Sequence, residues 1–128
     1  MTQLYTLLYI VRYTPLIVFI LAAGSFADKI GPTDKDADIL RKETETVTLK
    51  CSYETNSEDI YLYWYKQNPK SAPQFLLYKG ARSRSDSNTP TDTRLETKTT
   101  RYTTELTIRG LKISDSAFYH CALRVVAQ

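Results

Sequence analysis

Residues 45–53 alternate strictly between apolar and polar side chains. Val47, Leu49, Cys51 and Tyr53 fall on one side of an extended chain, and the polar residues between them fall on the other. A period of two is that of a β-strand with one face against a core. The pattern therefore predicts a half-buried strand that carries Cys51 on its core face.

A second strand is predicted over residues 61–67, which are rich in aromatic side chains. Leu62, Trp64 and Lys66 share one face of this strand. The opposite face carries Tyr61, Tyr63, Tyr65 and Gln67. Two interpretations stay open at this point: the aromatic face contacts another protein, or tyrosine is present because it suits strands in general.

Further short strands are predicted over residues 74–78, from residue 94 onward and over 104–108, with polar loops between them. The loop at 79–85 is basic, and Gly80 could supply a positive φ there. Before the first clear strand, residues 28–44 are polar and irregular, with Gly31-Pro32 as a breaker, a charged patch at 34–38 and a short edge strand near 38–40. With seven or eight short strands and no convincing helix, the chain is expected to be all-β.

The first 27 residues differ from the rest. Arg12 is their only charge, residues 16–23 form an apolar run, and small side chains follow at Ser25 and Ala27. This pattern predicts a signal peptide over 1–27, cleaved before Asp28 or, as a second choice, between Gly24 and Ser25. A second apolar stretch over 4–11 keeps a membrane anchor open as the alternative. A secreted domain over 28–128 would fold in an oxidising compartment, where two cysteines are expected to be bonded.

Composition excludes several functional classes. The chain has 128 residues, enough for one domain, and its 17 basic and 14 acidic residues are interspersed, so nucleic acid is not an expected partner. A single histidine, with no G-x-S-x-G, phosphate-binding glycine loop or H-E-x-x-H, gives no basis for catalysis. We expect neither an enzyme nor a cofactor, and two distant cysteines with one histidine do not suit a metal site.

The strongest motif combines distant positions. Cys51 and Cys121 lie 70 residues apart with Trp64 13 residues after the first, and residues 115–121 read D-x-A-x-Y-x-C. With these residues the chain resembles T-cell receptor variable domains, most of all those of the alpha or delta class. The motifs that carry the resemblance are Cys51, Trp64-Tyr65-Lys66-Gln67, Leu76-Leu77-Tyr78, Arg94-Leu95, Leu106-Thr107-Ile108, Asp115-Ser116-Ala117, Tyr119 and Cys121.

The resemblance implies a V-type immunoglobulin-like β-sandwich. In it, a disulfide between Cys51 and Cys121 would join the two sheets, and Trp64 would pack against that bond. Tyr119 would form a tyrosine corner, and Arg94 would pair with Asp115.

The resemblance also implies two binding surfaces. The surface that would pair with a T-cell receptor beta-chain variable domain comprises Tyr65, Gln67, Pro73, Phe75 and His120, and it favours the first interpretation of the aromatic face. Three loops would face a peptide on a major histocompatibility molecule, with a fourth near 98–102. The residues of the three loops are Thr55, Asn56, Ser57, Glu58, Asp59, Ile60 and Tyr61; Lys79, Gly80, Ala81, Arg82 and Ser83; and Ala122, Leu123 and Arg124.

The sequence departs from the family in two places. His120 stands where most relatives have a tyrosine or phenylalanine. The F-G-x-G joining segment is missing, so the sandwich is expected to lack its last strand and to expose a strand edge, as in an unrearranged germline segment. Such a chain would enter the secretory pathway and reach the cell surface within a receptor, anchored through a region outside this sequence. The alternatives are a delta-chain or immunoglobulin light-chain variable domain, a V-type innate immune receptor, or a cell-adhesion domain.

Overall fold

The computed structural model describes residues 6–12, 28–33 and 38–126. These residues form strands and a single short 3₁₀ turn, η1, at Ile113–Asp115. The strands are β1 Thr6–Arg12, β2 Lys29–Pro32, β3 Asp38–Lys42, β4 Val47–Glu54, β5 Asp59–Gln67, β6 Gln74–Arg82, β7 Leu95–Thr99, β8 Thr103–Ile108 and β9 Ala117–Val125.

The strands form two sheets that enclose one core. One sheet has the order β3-β1-β9-β5-β6, and the other has the order β2-β4-β8-β7. This confirms the all-β sandwich. The inward alternation of β4 is also confirmed, since Val47, Leu49, Cys51 and Tyr53 are all buried and the residues between them are exposed. Trp64, Tyr119 and the aliphatic side chains of β5, β6 and β8 complete the core.

Two sequence predictions near the strand ends are wrong. β6 continues to Arg82, because residues 79–82 pair with β5 as far as Asp59↔Arg82 instead of forming a loop. Gly31 and Pro32 do not break the chain either. They end β2, which pairs with β4 and buries Ile30. β2 is an edge strand. Proline is tolerated there because it has no N–H to donate, and the open side of an edge strand has no partner strand that would need one.

The strand β1 comes from the segment predicted to be a signal peptide. It lies between β3 and β9, antiparallel to the former and parallel to the latter, with Tyr9↔Ala117 and Arg12↔His120 in register. The edge of β9 that the sequence predicts to be open is therefore paired in this structure. The proposed cleavage points, the apolar run at 16–23 and the charged patch except Asp38 lie outside the described residues.

Candidate functional site

The two cysteines are joined as predicted. Cys51 in β4 and Cys121 in β9 form a disulfide with a Cα–Cα distance of 6.7 Å, so the bond links the two sheets. Trp64 lies opposite Cys121 in the sheet register and is fully buried in the same core cluster. Its indole Nε1–H donates to the hydroxyl of Thr104 at 3.1 Å. The sequence pattern does not single out Thr104, although this residue shares the inward parity of Leu106.

Arg94 and Asp115 form the predicted ion pair. The two guanidinium Nη atoms lie 2.8 and 2.9 Å from the carboxylate oxygens, a bidentate geometry. Arg94 also binds the carboxylate of Asp92, which the sequence analysis did not single out, and it donates to the carbonyls of Arg109 and Gly110. This end of the sandwich is therefore tied together by one arginine.

The carboxyl of Asp115 is buried but remains ionised. Burial by itself would raise its pKa, yet the hydrogen bonds from Arg94 and from the backbone N–H of Lys112, together with the positive charge of Arg94, lower the pKa below its usual value. The hydroxyl of Tyr119 donates to the Asp115 carbonyl at 2.5 Å, which is the geometry of a tyrosine corner. These contacts are structural, since both carboxylate oxygens of Asp115 are held by Arg94.

The outer face of β5 and β6 carries a cluster of aromatic rings. Tyr63, Tyr65, Phe75 and Tyr78 have neighbouring ring centroids 5.6 to 6.4 Å apart, and Phe75 is 45% exposed. We call this set, with Gln67, Pro73 and His120, the aromatic face. By this definition the aromatic face includes Tyr65, Gln67, Pro73, Phe75 and His120, the residues predicted to form the partner surface.

His120 and Gln67 contact each other on the aromatic face. The Nε2 atom of His120 lies 2.8 Å from Oε1 of Gln67, and the imidazole is only 8% exposed. His120 therefore points to the same side as Tyr65, as the alternation of β9 predicts. Pro73 is exposed just before β6.

The predicted antigen loops meet at the end of the sandwich opposite Arg94, which we call the loop end. Not all of their residues are accessible. Strand β5 begins at Asp59 and β6 ends at Arg82, so several predicted contacts lie inside strands. The side chains that burial removes from the surface are Ile60, Tyr61, Ala81, Ala122 and Leu123, and Gly80 is buried as well. The predicted positions that remain accessible or partly so are Thr55, Asn56, Ser57, Glu58, Asp59, Lys79, Arg82, Ser83 and Arg124.

Gly80 does not have the positive φ that the sequence suggests. The left-handed residue of this segment is Arg82, with φ 62°. Gly80 is required by close approach instead, because a Cβ atom there would lie 2.5 Å from Cβ of Arg84. A cleft of about 290 Å³ opens beside it, lined by residues 79–82, 84–85 and 99–101.

Ion pairs hold the loop end together. Arg101 binds the carboxylate of Glu58 through both Nη atoms, and Arg84 binds Asp59 through Nε and Nη2. The Tyr61 hydroxyl accepts from Arg84 and donates to Asp86. The sequence pattern does not single out Arg84, although this residue lies in the segment 79–85 that is predicted to be a basic loop.

The described part of the chain offers no sign of a metal centre or of a membrane-spanning helix. It contains no group of three or more His, Cys, Asp or Glu side chains placed to hold a metal ion. None of its helical segments is long and apolar enough to cross a bilayer.

Comparison with known proteins agrees with this geometry. Residues 35–127 match the family described as the immunoglobulin V-set domain. The chain is 34% identical over 107 residues to human T cell receptor beta variable 13, covering 84% of this chain and 83% of that protein. It is 36% identical over 85 residues to human T cell receptor alpha variable 14/delta variable 4, covering 65% and 71%, and 32% identical over 92 residues to human T cell receptor alpha variable 38-2/delta variable 8, covering 72% and 78%.

Proposed function

Because this chain belongs to the immunoglobulin V-set family, we propose that it is the antigen-recognition variable domain of a T-cell receptor alpha chain. In this role it pairs with a beta-chain variable domain and binds peptide on a major histocompatibility molecule. It acts by surface complementarity, without a cofactor. Its route would be the secretory pathway, and its place the cell surface within a receptor complex.

The observation that carries this proposal is the aromatic face. A sandwich domain that stayed alone would expose mainly polar groups there, whereas Tyr65 and Phe75 present rings to solvent. Aromatic side chains are enriched at protein interfaces because they bury large areas and keep a polar edge. Gln67 and His120 would add polar contacts on the same surface. The loop end, which carries tyrosine, serine, asparagine and arginine, has the composition of a paratope.

Ala122-Leu123-Arg124 after Cys121 favours an alpha or delta chain over a light chain. The alpha assignment is supported by relatives whose names carry alpha, among them the two described above. Both of those names also carry delta, so a delta chain is the second candidate. Human T cell receptor beta variable 13 is also similar to this chain, so the chain class has to be measured directly.

Sequencing of lymphoid transcripts tests the proposal. Primers within the codons for residues 115–121 would be extended downstream. We expect reads that diverge after about residue 123 and then converge on F-G-x-G and a receptor constant domain, whose type names the chain class. One invariant continuation in every read would overturn the antigen-receptor role and favour an innate receptor or an adhesion protein.

A pairing assay tests the aromatic face directly. The rearranged chain would be co-expressed with candidate partner chains, and heterodimer would be measured by size exclusion. Phe75→Ser should abolish pairing, because it removes an exposed ring from the centre of the face. The matched control is Tyr102→Ser, which removes a 61% exposed ring at the loop end and should leave pairing unchanged. Equal pairing of both variants would contradict the proposed interface.

A further inference from the structure

Arg82 has an unusual backbone at the end of β6. Its φ of 62° lies in the left-handed region, which a side chain other than glycine adopts only when its surroundings impose it. The chain reverses here, since the N–H of Arg84 donates to the carbonyl of Ala81. The Arg82 side chain lies across the loop end, where its partners are main-chain atoms of two other loops.

The guanidinium of Arg82 makes four hydrogen bonds to carbonyl oxygens. Nη1 donates to Thr55 at 2.7 Å and to Ser57 at 2.9 Å, both in the first loop, which joins β4 to β5. Nε and Nη2 donate to the single carbonyl of Arg101, at 3.0 and 2.7 Å, in the fourth loop, which joins β7 to β8. One side chain of β6 thus connects the loop that crosses between the two sheets with a loop of the four-stranded sheet.

Two aromatic rings flank the same guanidinium. Its central carbon lies 5.4 Å from the ring centroid of Tyr53 and 5.5 Å from that of Tyr102. A planar cation fits between such rings, whereas an ammonium group has neither the plane nor the fork of donors. The Tyr53 hydroxyl donates in turn to the carbonyl of Thr100, so this ring is anchored to the fourth loop as well.

The charge of Arg82 is not used in an ion pair. Across the residues that the structure describes, the salt bridges of this end belong to Arg84 with Asp59 and to Arg101 with Glu58, and none involves Arg82. Its interactions are directional bonds to carbonyls and contacts with rings. They fix the position of the loops, whereas the ion pairs add attraction between side chains, of which Arg84, Arg101 and Glu58 stay largely exposed.

We infer that Arg82 is a positioning residue that holds the first and fourth loops in one fixed arrangement beside the chain reversal at the end of β6, which we call the second loop. The three loops then form a single preorganised surface before any ligand arrives. For recognition, which rests on the proposed function, this lowers the conformational entropy lost on binding. Arg82 was predicted to contact antigen, and this inference gives it a different role behind the contact surface.

Amide hydrogen exchange on the full chain tests the inference without a ligand. Arg82→Lys keeps the charge and the stem but removes the fork. The amides to follow are those of Ser57 in the first loop, of Asp59 where that loop meets β5, and of Thr103 where the fourth loop meets β8. Each of them bonds to a hydroxyl of its loop. We expect exchange at both loops to become about tenfold faster while the amides of β4 and β9 keep their rates, because local opening is independent of global unfolding.

The matched control is Arg41→Lys in β3, where Nη1 donates to the adjacent carbonyl of Leu40, far from the loop end. It should change nothing at the loop end. A second variant, Arg82→Gly, suits the left-handed backbone and therefore folds even if the lysine variant does not. Millimolar guanidinium ion added to Arg82→Gly should restore slow exchange in both loops, since the ion can occupy the vacated site.

Three outcomes would overturn the inference: unchanged loop exchange in both Arg82 variants, a uniform increase across the whole chain, or no rescue by guanidinium. A uniform increase would mean that Arg82 only contributes to global stability. Since no step needs antigen or a partner chain, the result is independent of whether the receptor role proposed above is correct.

Discussion

Arg94 and Arg82 lie at opposite ends of the sandwich, and each ties its end together with one guanidinium. Arg94 binds two carbonyls and two carboxylates, one of which, that of Asp115, is buried. Arg82 binds carbonyls and lies between rings, in a partly exposed position. Breaking an ion pair that includes a buried carboxylate leaves an uncompensated charge, whereas freeing a loop exposes groups that water can satisfy. The first end should therefore govern global stability and the second only local order.

The largest expected effect is one that both ends share. Cys51→Ala removes the bond between β4 and β9, whose closed loop of 70 residues is worth roughly 4 kcal/mol in the chain-entropy model. We expect folded protein to be absent from the secreted fraction, because this loss is comparable with the stability of a small domain. Secretion yield and melting temperature measure it. Near-wild-type values for both would show that the disulfide does not support the fold.

Arg94→Ala should have the next largest effect. It leaves the Asp115 carboxylate buried without its partner and should lower the free energy of unfolding by about 3 kcal/mol. Urea denaturation measures the loss, and the loop exchange rates relative to global unfolding serve as its control. The comparison between the two ends fails if Arg82→Lys lowers the free energy of unfolding by as much as Arg94→Ala does.

Acid should act mainly on the Arg94 end. The folded-state pKa values of Asp115 and Asp92 are lowered, so their contribution is complete above about pH 4 and is lost as pH falls through the lowered values. Asp115→Asn removes one of these titrations. The difference in unfolding free energy between wild type and this variant should therefore shrink below pH 4. A difference that is constant from pH 7 to pH 2 would contradict the lowered pKa of Asp115.

The smallest effect should come from the exposed ion pairs of the loop end. Glu58→Gln breaks the pair with Arg101, in which both side chains are more than half exposed. Such pairs contribute little to stability and are screened by salt. We expect no measurable change in melting temperature and only a modest, salt-sensitive increase in first-loop exchange. A drop in melting temperature as large as that of Arg94→Ala would show that the ion pairs of the loop end also support global stability, which would contradict the comparison.

The sequence predicted the Arg94 end well and the Arg82 end poorly, for a physical reason. Alternation alone places Cys51 on the core face of its strand. The roles of Trp64, Asp115 and Tyr119 follow from the resemblance to T-cell receptor variable domains, whose motifs these residues match. The role of Arg82 depends on main-chain carbonyls, which every residue has, and on a left-handed φ that the sequence suggested for Gly80. Loop accessibility was overestimated for the same reason, since strand pairing beyond Tyr78 depends on the partner strand β5.

The strand β1 has a consequence for the timing of assembly. The edge of β9 can form hydrogen bonds with only one extended strand at a time. β1 and any other strand therefore compete for the same edge. While residues 6–12 remain attached and paired with β9, that edge is occupied. If the chain is cut before Asp28, as its sequence predicts, the time of proteolysis determines when the edge of β9 becomes free to pair. A replacement strand must then pair with this edge before a neighbouring molecule does.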